Sequence, residues 1–87
     1  MNLTIIAKKW FDGANGNTYH SVRIYKKNIE IAVEKIAYGY GEGYLQTAHQ
    51  LLRDIKKVRL GYSEWLRSKT FKKNLVLVDD VKRKRDL

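Results

Sequence analysis

The chain contains no cysteine and no proline in 87 residues. Without thiols there is no disulfide framework and no thiolate metal site, so packing alone has to hold the fold together. The lack of cysteine accords with a reducing compartment. Without proline there is no rigid linker and no polyproline ligand segment. Histidine occurs twice, at His20 and His49, in no spacing that builds a metal site. No His-Glu-x-x-His, nucleophile elbow or P-loop is present, and no other phosphate-binding glycine fingerprint. No apolar run approaches the ~20 residues that cross a bilayer. The apolar stretch Leu3–Ala7 is short and precedes its basic pair Lys8–Lys9, the reverse of a signal peptide. These absences set the first expectations: a cytoplasmic protein without membrane contact, cofactor or metal, and without catalysis.

What is abundant is positive charge. Lys and Arg number 18 against 9 Asp and Glu, a formal net charge of +9. The excess is uneven: residues 1–52 carry a net +2 and residues 53–87 a net +7. A field of that sign attracts polyanions: nucleic acid, an anionic membrane or an acidic protein surface.

The hydrophobic pattern changes period once. Leu3, Ile5 and Ala7 alternate with Thr4, Ile6, Lys8 and Trp10, a strand pattern over 3–11. The loop Asp12-Gly13-Ala14-Asn15-Gly16-Asn17 has the composition of a hairpin turn. A second strand spans 18–26, and Lys27-Asn28 predicts a tight turn because Asn tolerates a left-handed backbone. A third strand runs from Ile29 to about Tyr38, where a parity break predicts a bulge near Glu34–Lys35. After Gly39, Gly41 and Gly43 the period becomes helical: Leu45, Ala48, Leu51, Leu52 and Ile55 share one stripe over about 43–57. A short second helix is expected from a Ser63 cap to Lys69, with Trp65 and Leu66 buried. Leu75–Val78 reads as a last strand, extended by Val81. The expected architecture is α+β: a three-stranded antiparallel meander, a helix across one face, a short helix and a final strand of unassigned pairing. One domain covers 1–81, and 82–87 reads as a frayed basic tail.

Four features are candidate sites. If Val22 and Ile24 face the helix, then Tyr19, Arg23 and Tyr25 point to solvent, with Trp10 and Lys8 able to join them. Rings interleaved with cations suit bases and phosphates. Ordinary cross-strand pairing would use the same residues. The glycine segment Tyr38–Tyr44 could present helix N–H groups to an anion, but Glu42 opposes that, and a tight strand-to-helix bend explains it better. Asp79 and Asp80 are adjacent on a strand and so point to opposite faces, which argues against a shared metal. In the basic half, Lys56, Lys57, Arg59, Arg67, Lys69, Lys72 and Lys73 surround the second helix, and Lys82, Arg83, Lys84 and Arg85 follow the last strand. Such contacts grip phosphates without reading sequence.

Three segments carry a resemblance: Trp10-Phe11, Gly16-Asn17-Thr18-Tyr19-His20-Ser21-Val22, and Tyr38-Gly39-Tyr40-Gly41-Glu42-Gly43-Tyr44-Leu45-Gln46-Thr47-Ala48. The pattern, over about residues 9–52, resembles small, largely uncharacterised proteins of viruses and mobile elements. The resemblance implies no activity and assigns no binding residue. It does imply a context in which small proteins bind nucleic acid or block a host defence enzyme.

The leading expectation is a non-catalytic accessory protein that binds DNA or RNA with low sequence specificity. The alternative is an inhibitor of a host defence system, of anti-CRISPR or anti-restriction type, acting on a nucleic-acid-processing protein or its nucleic acid. Free strand edges also admit a homodimer.

Overall fold

A computed structural model describes residues 2–87. The chain forms strands β1 (Thr4–Asp12), β2 (Asn17–Lys26) and β3 (Ile29–Tyr38). Helices α1 (Gly43–Asp54), α2 (Tyr62–Arg67) and α3 (Lys69–Lys72) follow, then strand β4 (Leu75–Val81) and a 3-10 turn at Lys84–Asp86. One four-stranded sheet has the order β3-β2-β1-β4, with the helices on one face. This is the expected α+β architecture, and the meander is antiparallel throughout. The last strand pairs with β1, in parallel, at the outer edge. Its parallel direction follows from the connection: α1 to α3 cross beneath the sheet, and a helical crossover returns the chain in the direction of β3, which is also that of β1.

The alternation seen in the sequence sorts the two faces. Ile5, Ala7, Val22 and Ile24 are buried with Leu3 against Ala48 and Leu52 of α1 and Trp65 of α2. His20 lies on the same face, its Nε2 sharing a hydrogen bond of 2.6 Å with Thr47 Oγ1 of α1. A Cβ added to Gly39 would stand 3.2 Å from His20 Cε1, so the close approach of strand end to ring suits glycine. Trp65 Nε1 and Asn74 Nδ2 are buried donors without an acceptor, and both residues line a cavity of about 80 Å³.

Both turn expectations in β2–β3 hold. Lys27 and Asn28 have φ of 51° and 67°, as a two-residue type I′ hairpin requires. The register slips between His20 and Val22, opposite Glu34 to Ala37, where a bulge was expected. A second slip between Ile24 and Tyr25 was not expected.

Two readings are corrected. The main helix stops at Asp54 rather than 57, because Lys56 turns left-handed at φ 61°. Lys57 N–H then donates to Leu52 O (2.8 Å) and Lys56 N–H to Arg53 O (3.0 Å), closing the helix end. Ser63 does not cap α2, whose N-cap is Gly61. Ser68 does the capping instead, one helix later, accepting from Phe71 N–H at 3.1 Å and opening α3. Residues 82–87, read as a basic tail, are largely exposed and carry the 3-10 turn at Lys84–Asp86. Their 3-10 turn returns over the sheet, and Arg23 Nη2 donates to Leu87 O at 3.5 Å.

Candidate nucleic-acid interface

The sheet face away from the helices carries the side chains that the sequence assigned to solvent. Register places Val81, Trp10, Tyr19 and Tyr38 directly opposite one another across all four strands. Trp10 stacks on Tyr19 with centroids 5.7 Å apart and planes 26° from parallel. Tyr19 meets Tyr38 edge-on at 5.7 Å, and Tyr38 meets Tyr40 edge-on at 5.5 Å. Four rings thus form one row at the end of the sheet nearest the glycine segment. Tyr38 and Tyr40 are 58% and 56% exposed. Tyr40 is anchored by its hydroxyl, which donates to Gly16 O at 3.2 Å. The Tyr38 hydroxyl is held above its ordinary range, chiefly by hydrogen bonding with Tyr40.

Next to this row, Lys8 lies between Ser21 and Asp79. Further along, Arg23 sits between Ile6 and Val33. Arg23 reaches Ser21 Oγ (3.3 Å) and Glu30 (3.9 Å) as well as Leu87 O. Ser21 is fully buried although it faces away from the helices, which shows how closely the face is covered there. The returning segment 82–87 borders two hollows. One, of about 670 Å³, is lined by Lys8, Asp79, Lys82, Arg83, Arg85 and Asp86 among others. The other, of about 480 Å³, is lined by Arg23, Lys35, Ile36, Lys84, Arg85 and Leu87. Among the described residues, ion pairs within 4 Å are limited to Arg23–Glu30 and Arg83–Asp86. The remaining cations have no carboxylate within that distance to neutralise them.

The structure therefore divides the expected site residues. Tyr19 and Arg23 share the open face with Lys82, Arg83, Lys84 and Arg85. Tyr25 is on the same face but at its far end, opposite Thr4 and Glu30. Lys56, Lys57 and Arg59 follow α1, and Arg67, Lys69, Lys72 and Lys73 belong to the α2–α3 region, all in the helical layer. Tyr38, Tyr40 and Lys35 were not assigned to the interface from sequence. The two bulges explain the miss of Tyr38. Counting back from the Lys27–Asn28 turn pairs Tyr19 with Ile36, and each bulge shifts the register by one, to Tyr38.

Asp79 and Asp80 do lie opposite different β1 residues, Lys8 and Lys9 respectively. Among the described residues no three His, Cys, Asp or Glu side chains come together as a metal site. No helix among them is long and apolar enough to cross a membrane. No family model, curated protein or solved structure matches the chain.

Proposed function

We propose that the protein is a non-catalytic nucleic-acid-binding protein whose open sheet face is the interface. The observation that carries this reading is the register-built row Trp10–Tyr19–Tyr38–Tyr40, flanked on the same face by Lys8, Arg23 and Lys82–Arg85. Bases stack on such rings at about 1–3 kcal/mol each, while cations take phosphates by releasing counterions. Neither contact depends on base identity, so binding is weakly sequence-specific. No recognition helix occupies this face.

Anisotropy titrations of labelled DNA and RNA at ~50 and ~200 mM salt test this. The expected result is binding at low salt that weakens steeply at high salt. Absence of binding to every oligonucleotide at ~50 mM salt contradicts it.

A second reading, a protein that blocks a nucleic-acid-processing enzyme, is favoured by one feature. The free edge of β4 exposes Leu75, Leu77 and Val78, which could pair with a partner's strand.

A further inference from the structure

Resting on that reading, we infer that the preferred ligand is single-stranded, with one backbone phosphate seated in the hollow between Arg23, Lys35, Lys84 and Arg85. The aromatic row has a use only if base faces are available. A duplex keeps its base faces stacked inside and offers phosphates and groove edges. A single strand offers rings and phosphates side by side, which is what this face presents. Along β2, Tyr19 to Arg23 is four residues, or about 13 Å at strand rise, so a short extended strand reaches from the row to the hollow.

The hollow itself has the charge of an anion site. Four cationic side chains border it, together with Ile36 and Leu87, whose main-chain oxygen accepts from Arg23 at 3.5 Å and leaves Lys35, Lys84 and Arg85 for a phosphate. The acid nearest to it in the ion-pair pattern is Glu30, 3.9 Å from Arg23 Nε, while Asp86 is turned towards Arg83 at 3.4 Å. Lys35, Lys84 and Arg85 have no carboxylate within 4 Å among the described residues. Clustering like charges around one depression opposes folding unless an anion joins them. Two separate features build the cluster. The bulge of β3 opposite His20 to Val22 places both Lys35 and Ile36 beside the hollow, and the 3-10 turn carries Lys84 and Arg85 over Arg23. Residues 82–87 are then one wall of the site rather than an appendage.

The test compares a fluorescent dT oligonucleotide with a duplex of equal length, at ~50 and ~200 mM salt. It uses the full chain, the pair Lys84→Gln/Arg85→Gln, and the helical-layer pair Lys72→Gln/Lys73→Gln. All four positions are exposed, so folding is preserved and is checked by circular dichroism. The single strand should bind about tenfold tighter than the duplex. Lys84→Gln/Arg85→Gln should weaken it roughly tenfold and lower the salt slope by about 1–2, whereas Lys72→Gln/Lys73→Gln should leave it within about twofold. Equal or tighter duplex binding, or a larger loss from the helical-layer pair, overturns this inference and leaves nucleic-acid binding standing. If neither ligand binds the unaltered protein at ~50 mM salt, the nucleic-acid reading itself falls.

Discussion

Two residues show how single positions tune this fold. His20 is 2% exposed and joins β2 to α1 through Thr47. Burial lowers its pKa below the ordinary 6.5, with the Gly39 backbone and Glu34 pulling weakly the other way. The unfolded chain therefore takes up a proton at this ring before the folded chain does. Above pH ~6.5 both states are neutral there and the fold keeps its full stability. As pH falls below that value, the unfolded state is favoured increasingly until the folded ring also protonates. Urea midpoints should decline from pH ~7.5 to ~5.5, and His20→Gln should flatten that decline whatever its effect on the absolute midpoint. Lys56 is the second case. It holds φ 61° at the helix-closing position where glycine is favoured, because a Cβ crowds the left-handed backbone. Lys56→Gly should stabilise the protein by about 1 kcal/mol, read as a higher urea midpoint with unchanged slope. An unchanged or lower midpoint would show that the lysine side chain makes a stabilising interaction that outweighs the backbone cost.

At the scale of elements, legibility tracked how local the determining physics is. The meander, both hairpin turns and α1 were readable because alternation, turn chemistry and a 3.6-residue stripe are properties of neighbouring residues. The face assignment of Tyr19, Arg23 and Tyr25 followed from the same alternation. What could not be read depended on distant partners. Ser63 and Ser68 are equally good caps by composition, and the structure uses Ser68, whose hydroxyl also donates to Trp65 O at 2.6 Å. The pairing of β4 needed the helical crossover. The aromatic row needed two bulges, one of them silent in the sequence, before Tyr38 could stand opposite Tyr19. The run Lys82–Arg85 reads as a solvated tail in the sequence, whereas in the structure Arg83 pairs with Asp86 and the following Leu87 O accepts from Arg23, about sixty residues away in the chain.

Over the whole molecule, two layers leave one sheet face without a covering layer of helices. Half of the expected site residues lie on each side of the sheet: stacking rings and one group of cations on the open face, the other group in the helical layer. Net charge alone could not choose between these surfaces, since both are basic. For the proposed interface the aromatic row favours the open face, because Tyr38 and Tyr40 are more than half exposed whereas the central ring of the helical layer, Trp65, is buried. Trp65 packs against Phe71 at 4.7 Å and beside His49 at 5.4 Å, and it is 1% exposed. The two tryptophans therefore report on opposite sides of the sheet. The most direct measurement is tryptophan emission while an oligonucleotide is added, for the unaltered protein and for Trp10→Phe. Bases lying along the row should quench emission in the unaltered protein, and the quenching should vanish in Trp10→Phe, leaving the Trp65 signal steady. Quenching that persists in Trp10→Phe would place the nucleic acid against the helices and contradict the account.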